Sequence, residues 1–193
     1  MECYDSDAGL VARLETRLLE SRTLLISEPV SSDLTRRVIA SLLLLDADDP
    51  KAPITMMINS PGGSADDGFG IYDAMRYVRA PVRTVCVGIA ASAATIILLG
   101  ADKEHRFVLP NCRILIHQPS SGARGSASDI SITAKEILKL RERINRLLSE
   151  ETGQPISRID EDVHRDYWMS ASEAVEYGLF TRVVGSVADV LQS

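Results

Sequence analysis

The hydrophobic positions of this chain change their spacing several times, and each change predicts a new element. Residues 34–45 carry apolar side chains at helical spacing, with Ser31 or Ser32 as a suitable N-cap. An apolar run at 54–59 predicts a strand that stops at a proline and glycine turn, and residues 69–78 predict a second amphipathic helix. Residues 54–78 are therefore predicted to form a strand, a glycine turn and a helix.

The longest uncharged stretch, TVCVGIAASAATIILLGA at 84–101, is long enough to suggest a membrane span. Gly88 divides it: the valine-rich residues 82–87 predict a strand that ends there, and a buried helix of about ten residues is predicted from near Ser92. Each part is too short for the ~20 residues that a bilayer requires. We therefore expect a core strand and a core helix.

The second half of the chain continues the alternation of strands and helices. Residues 107–109 and 113–116 predict short strands, residues 118–127 predict a loop, and a long helix is predicted to end near Glu151. We expect the inward face of that helix to carry Ile130, Ile132, Ile137, Leu138, Ile144 and Leu148.

A capping-box pattern at 170–173 predicts a short helix that ends at Gly178, and residues 180–184 predict a last strand. Strands that alternate with helices indicate an α/β fold with crossover connections. We find no linker in the sequence, so we expect one domain over residues 1–193.

Composition and charge narrow the class of protein. The net charge of -6 and the isoelectric point near 5.1 disfavour nucleic acid as a partner. The N-terminal sequence MECYDSDAGL lacks the basic and apolar parts of a secretory signal, which favours a cytoplasmic protein. Cys3, Cys86 and Cys112 are widely spaced, and the histidines form no zinc motif. We therefore expect reduced thiols and no metal.

Three side chains and one glycine turn could act in catalysis. Ser92 lies at the predicted start of a helix, His117 ends the strand RILIH, and Asp166 is placed just before a helix. Gly62 and Gly63 could direct backbone N–H groups towards a developing oxyanion. Each has a structural alternative when taken alone: tight packing, a surface hydrogen bond, a helix cap and a tight turn, respectively. The residues alone leave these alternatives open.

Five motifs in combination resemble the ClpP family, the proteolytic subunit of the Clp protease, over nearly the whole chain. They are INSPGG at 58–63, IYDAM at 71–75, GIAAS at 88–92, ILIHQP at 114–119 and RDYWMSASEAVEYGL at 165–179. The resemblance implies a ClpP/crotonase-like spiral of αββ units with a protruding handle. The handle, a long helix plus a strand, would occupy residues 118–151, and an N-terminal axial segment would occupy residues 1–13.

The resemblance also implies the role of each site residue. Ser92 would be the nucleophile, His117 the general base and Asp166 the carboxylate that orients it, with the N–H groups of Gly63 and Ala93 as oxyanion hole. The loop that would pair with a substrate peptide is Gln118, Pro119, Ser120, Ser121 and Gly122.

Partners follow from the same resemblance. The family forms two stacked seven-membered rings, homomeric or mixed, and an AAA+ ATPase unfoldase of the ClpX, ClpA or ClpC type feeds unfolded polypeptides to the serine endopeptidase sites. Arg165 would contact the opposite ring. The resemblance implies no cofactor and no membrane or nucleic-acid partner.

Departures from the family pattern keep a second interpretation open. Residues 93–95 read Ala-Ala-Thr where the family usually has Met-Gly, and residues 120–122 read Ser-Ser-Gly where Leu-Gly-Gly is common. Thr55 and Met57 replace aromatic residues at the unfoldase-docking positions, although Tyr77 keeps one. The chain could therefore be a poorly active or non-catalytic partner in a mixed ring. A crotonase-type acyl-CoA enzyme is a third interpretation, against which the serine, histidine and aspartate set argues.

Overall fold

Strands and helices alternate along most of the chain, as the hydrophobic pattern predicts. The computed structural model describes residues 4–120, 122 and 124–191. In chain order the elements are α1 (Tyr4–Glu20), β1 (Thr23–Ile26), α2 (Ser32–Asp48), β2 (Ile54–Ser60), α3 (Ala65–Tyr77), β3 (Val82–Ala91), α4 (Ala93–Leu98), a 3₁₀ turn (Lys103–His105), β4 (Arg106–Val108), β5 (Arg113–Ile116), α5 (Ala127–Thr152), α6 (Ile156–Asp162), β6 (Tyr167–Ser170), α7 (Ala171–Tyr177), β7 (Arg182–Val183) and α8 (Val187–Leu191).

The strands form one seven-stranded sheet, in which five strands follow the order β1-β2-β3-β4-β7 and all pair in parallel. Parallel neighbours require crossover connections, which here contain helices. β5 pairs in parallel with the last part of β3, and β6 pairs antiparallel with β5. The sheet therefore branches at β3, and β5 and β6 form a second edge beside it.

β3 differs from the prediction, because the strand continues through Gly88 to Ala91. Gly88 has a φ of 77°, and a Cβ there would lie 2.8 Å from the Asn59 Oδ1 atom. That oxygen accepts a hydrogen bond from the Ile89 N–H at 3.3 Å, and the register with β2 shifts at this point. The strand therefore does not end at Gly88. Its residues before the glycine pair with β4, and residues 89–91 pair with β5.

α4 is shorter than the predicted helix, and it lies inside the core with every residue from Ala93 to Leu98 buried. Its apolar surface packs against β3, α3 and β5. In the part of the chain that the structure describes, no helix has the length and apolar character needed to cross a membrane.

Only the second half of α5 follows the predicted inward face. Ile144 and Leu148 are buried, whereas Ile130, Ile132 and Leu138 are 45%, 60% and 55% exposed. The first half of the helix therefore carries apolar side chains that this protomer does not cover. The expectation of a continuous inward face was wrong, because the helix is longer than the layer against which it packs.

The handle contains the expected helix, but its expected strand is not found. Among residues 117–120, 122 and 124–126, none is in a strand. A strand needs a neighbour for its backbone hydrogen bonds, and none of the strands that the structure describes pairs with these residues. Of the predicted N-terminal segment 1–13, residues from Tyr4 onward lie in α1, a helix that the sequence did not predict.

The N-terminus of α5 is fixed by a capping box between Ser126 and Asp129. The Asp129 N–H donates to Ser126 Oγ at 3.3 Å, and Asp129 Oδ2 accepts from the Ser126 N–H at 3.0 Å and from its hydroxyl at 2.7 Å. The hydroxyl donor of Ser126, followed by its backbone N–H, lowers the pKa of the Asp129 carboxyl below its ordinary value. Because the pKa of Asp129 is lowered in the folded state, the stability that its bonds to Ser126 contribute is present at neutral pH. That stability is lost as the pH falls through the pKa of the folded state.

Replacing Ser126 by alanine is therefore expected to loosen the first turns of α5. Loss of an N-cap costs about 1 kcal/mol, so amide hydrogen exchange in these turns should accelerate about fivefold. Ser128→Ala is the matched control, since Ser128 is an exposed serine in the same turn. Equal exchange rates in the two variants would show that the capping box does not hold this end of the helix.

Candidate active site

Ser92 occupies a strained turn between β3 and α4. Its φ of 55° and ψ of -121° place a residue with a side chain in a region that normally favours glycine. The turn is held by the Ser92 N–H, which donates to the Leu115 carbonyl at 2.9 Å. The Thr95 hydroxyl donates to the same carbonyl at 3.2 Å, and the Thr95 N–H donates to the Ser92 carbonyl at 2.9 Å. Backbone strain that is fixed in this way is typical of functional sites.

The proline and glycine turn after β2 packs directly against the Ser92 turn. A Cβ on Gly62, whose φ is 88°, would lie 2.4 Å from the Ala91 carbonyl oxygen and 2.8 Å from the Ser92 Cβ. Any larger residue at this position would therefore displace one of the two turns. Glycine here serves close packing beside the serine as well as the turn geometry.

Gly63 and Ala93 both line the cleft that contains Ser92, and their backbone N–H groups are candidate donors to it. The bridge with Val30 uses the neighbours of Gly63: the Val30 N–H donates to the Gly62 carbonyl at 2.9 Å, and the Ser64 N–H donates to the Val30 carbonyl at 3.0 Å. In a parallel bridge the N–H of Gly63 itself points to the other side. Ala93 is the first residue of α4, so its N–H has no acceptor within the helix. Both residues line the same cavity.

His117 and Asp166 come together because β5 and β6 are antiparallel neighbours. Ile116 pairs with Tyr167, so the residues that follow β5 and precede β6 lie side by side. His117 Nδ1 is 3.2 Å from Asp166 Oδ1, and the two side chains are 26% and 63% exposed. Asp166 thus precedes a strand, and the expectation that it precedes a helix was wrong.

The cleft that contains Ser92 also contains His117, and its volume is about 430 Å³. Among the hydrogen bonds made by the described residues, none joins the Ser92 hydroxyl to His117. The far wall of the cleft is a stripe of apolar side chains at helical spacing on α5, which the sequence did not assign to a site. Its members are Leu140, Ile144, Leu147 and Leu148.

The loop after His117 borders this cleft. Pro119 and Ser120 line the cleft, and Gln118 is tied to the segment before Asp166 by its N–H, 2.7 Å from the Val163 carbonyl oxygen. Its side-chain Nε2 also donates, to the His164 carbonyl, at 2.8 Å. A Cβ on Gly122 would meet no atom within 4 Å. Ser121 lies outside the described residues.

Arg165 is an exposed cation next to Asp166. Together with His117 and Gln118 it borders a shallow surface depression beside the cleft. Across the chain segments that the structure covers, Arg165 makes no ion pair within the protomer. Its guanidinium group is therefore free to contact another chain.

Neither Cys86 nor Cys112 lines the cleft. Cys86 and Cys112 are buried, and the Cys112 Sγ donates to the Cys86 carbonyl at 3.0 Å. Cys3 lies outside the described residues. Within the described ranges, no group of three histidine, cysteine, aspartate or glutamate side chains could hold a metal ion.

Ser92 in a strained turn, His117 and the candidate backbone donors Gly63 and Ala93 line one cleft of an α/β fold, and Asp166 pairs with His117 beside it. These are the parts of a serine hydrolase, whose residue order differs between unrelated folds. The fold and the site therefore define the class of protein.

Comparisons with known proteins give the family. Residues 7–187 match the family model described as Clp protease. ATP-dependent Clp protease proteolytic subunit 1 of Prochlorococcus marinus is 52% identical over 168 residues, covering 87% of this chain and 86% of the relative. Proteolytic subunit 2 of Parasynechococcus marenigrum is 51% identical over 169 residues, covering 88% and 86%.

Among solved structures, a mutant of ClpP1 from Listeria monocytogenes matches with a TM-score of 0.85 and 40% identity, covering 92% of this chain and 99% of that one. The chain therefore belongs to the Clp protease family of serine peptidases. The expected mixed α/β ClpP fold and the expected function, a proteolytic subunit of an ATP-dependent Clp protease, are both confirmed.

Proposed function

We propose that Ser92, His117 and Asp166 carry out peptide-bond hydrolysis in this subunit. The observation that carries the proposal is the His117 Nδ1 to Asp166 Oδ1 distance of 3.2 Å beside the strained Ser92. Asp166 holds the proton on Nδ1, which leaves Nε2 of His117 as the base that takes the proton of the Ser92 hydroxyl. The serine oxygen then attacks the peptide carbonyl carbon.

The negative charge of the tetrahedral intermediate develops on the former carbonyl oxygen, and the N–H groups of Gly63 and Ala93 stabilise it. His117 then gives its proton to the leaving amine, the C–N bond breaks, and an ester on Ser92 remains. Water attacks this ester with His117 again as base. The acid product leaves, and the serine regains its proton.

We further propose that the subunit works in two stacked seven-membered rings, homomeric or mixed, in the cytoplasm. The relatives carry the name ATP-dependent Clp protease, which supports an oligomeric assembly with an ATPase partner. An AAA+ unfoldase of the ClpX, ClpA or ClpC type would deliver unfolded polypeptides. The uncovered apolar side chains on the first half of α5 and the free Arg165 support contacts between subunits.

The substrate peptide would lie along the loop after His117. Pro119 and Ser120 already line the cleft, which supports a binding role for the whole segment. An extended peptide that pairs with a backbone edge gains main-chain hydrogen bonds independently of its sequence. The residues of this segment are Gln118, Pro119, Ser120, Ser121 and Gly122.

The alternative is a poorly active or non-catalytic partner subunit in a mixed ring. It is favoured by one observation, that no hydrogen bond of the described residues joins Ser92 to His117. In the catalytic proposal, contacts between subunits at Arg165 and Asp166 move the imidazole into reach of the serine. In the alternative, the imidazole stays out of reach in the assembled ring as well.

Labelling with a fluorophosphonate separates the two. The serine oxygen of an activated site attacks phosphorus and releases fluoride, so Ser92 of the assembled protein should gain the phosphonyl mass. Ser92→Ala should lose this label, and Ser157→Ala, which removes an exposed serine outside the cleft, should keep it. The mass of the native assembly is measured on the same samples. If Ser92 stays unlabelled in an assembled ring, with and without an unfoldase, the catalytic proposal is wrong.

A further inference from the structure

The cleft at Ser92 contains one acidic side chain that the reaction does not use. Asp66, in the first turn of α3, lines the cavity together with Gly63, Ser92 and His117. Among the described residues that line this cavity, Asp66 is the one carboxylate, and none is a lysine or an arginine. The substrate cleft therefore carries a negative charge beside an apolar wall.

The Asp66 side chain is unpaired among the residues that the structure describes. Across the described residues it makes no hydrogen bond and no ion pair through its side chain, and it is exposed. Arg143 on α5 is engaged further along α3, at 3.9 Å from Asp73 and over the Phe69 ring at 3.7 Å. Asp73 follows Asp66 by two helical turns, which is about 10 Å along the axis.

Stabilisation of the N-terminus of α3 does not explain why the Asp66 carboxylate lies at the cleft. The hydroxyl of Ser64 already caps α3, because it accepts from the Asp67 N–H at 3.3 Å. Asp67 lies in the same turn, offers the same negative charge to the helix N-terminus and does not line the cavity. What distinguishes Asp66 from Asp67 is therefore access to the substrate cleft.

The proposed reaction determines which substrate side chain enters this cavity. A carbonyl held by the Gly63 and Ala93 N–H groups and attacked by Ser92 belongs to the residue before the scissile bond. Its side chain is one bond away, so it enters the cavity that these same residues line. There it meets apolar side chains of α5 and of α4 with its C-cap residue, among them Ile144, Ile96 and Leu99.

We propose that Asp66 is a specificity-determining residue that adds a preference for lysine or arginine before the scissile bond. Both side chains have an aliphatic stem that packs along an apolar wall and a charged end that seeks a polar partner. The stem would lie against Ile144 and Leu148, and the cation would pair with the Asp66 carboxylate. The proposal rests on the proposed role of Ser92. It adds basic residues to the apolar residues that the same wall would accept before the scissile bond.

Two peptidyl diphenyl phosphonates that differ only at this position test the proposal on the assembled full-length protein. One carries lysine next to the phosphorus and the other carries norleucine, which has the same stem without the ammonium group. The rate at which each modifies Ser92 is followed by mass spectrometry. We expect Asp66→Asn to lower the lysine-to-norleucine rate ratio about fivefold, the upper end for an exposed ion pair.

Asp67→Asn is the matched control, and it should change that ratio by less than about twofold. If Asp66→Asn leaves the ratio unchanged while norleucine still modifies Ser92, the specificity proposal is overturned and the proposed catalytic role stands. If neither phosphonate nor the simple fluorophosphonate modifies Ser92, the proposed function fails and the specificity proposal fails with it.

Discussion

Asp166→Asn is expected to lower kcat/KM for peptide hydrolysis about 10⁴-fold, the loss that this change produces in serine, histidine and aspartate triads. In the proposed mechanism, the carboxylate at 3.2 Å from His117 Nδ1 keeps the imidazole proton on that nitrogen. An asparagine can donate its amide N–H there instead, which favours the tautomer with the proton on Nε2 and removes the base that Ser92 needs. The rate is measured with a fluorogenic peptide.

The control for this prediction is Glu161→Gln, which removes a carboxylate from the exposed side of α6 that does not contact His117. Both variants are assayed on the fraction with the native mass of the assembly, because Asp166 is exposed and adjoins Arg165. An assembled Asp166→Asn protein that keeps more than about a tenth of the activity would remove Asp166 from the mechanism.

The strand, turn and helix that place Gly63 could be predicted from local signals alone. A short apolar run, a proline with two glycines and a helical spacing of apolar residues correspond to β2, the turn and α3. Such signals depend on residues that are neighbours in the chain. They therefore succeed where the structure is determined locally.

The continuation of β3 through Gly88 depends on a partner that is remote in sequence. A glycine within an apolar run normally indicates the end of a strand, but β5 provides a second parallel neighbour for the residues after Gly88. The exposed half of α5 has a similar cause, because helical spacing shows which side chains share a face and not whether another layer covers that face. Both errors come from tertiary structure.

The site residues were identified by motif and not by spacing. The approach of His117 to Asp166 results from β5 and β6 pairing, and nothing near either residue in the chain indicates that pairing. The cavity position of Asp66 likewise requires the fold, because Asp66 and Asp67 are equivalent as acidic residues in the first turn of a helix. The resemblance named the roles, and their assignment to this chain remains a prediction that the proposed experiments test.

Arg106 and Glu151 form a buried ion pair behind the site. Arg106 is fully buried, and it donates through Nε to the Ala101 carbonyl at 2.8 Å and through Nη2 to the Leu99 carbonyl at 3.1 Å. Its guanidinium group also pairs with Glu151 at the end of α5, and the Tyr72 hydroxyl donates to the same carboxylate at 3.2 Å. Burial, and then the charge of Glu151, raises the pKa of Tyr72, so its hydroxyl remains a donor. The network fixes the C-terminal end of α4 to α5 and α3.

Arg106→Met should therefore lower the free energy of unfolding by about 3–5 kcal/mol, because it leaves a largely buried carboxylate and two carbonyls without their donor. Combining it with Glu151→Gln should cost less than the sum of the two single changes, since both act on one pair. Urea unfolding is measured at one protein concentration, because assembly makes stability depend on it. Arg36→Met, which removes an exposed pair with Asp33 at 3.4 Å, is the control and should cost less than about 1 kcal/mol. Equal losses in Arg106→Met and Arg36→Met would mean that the buried pair does not hold α4 in place, and the position of Ser92 at the other end of that helix would need another explanation.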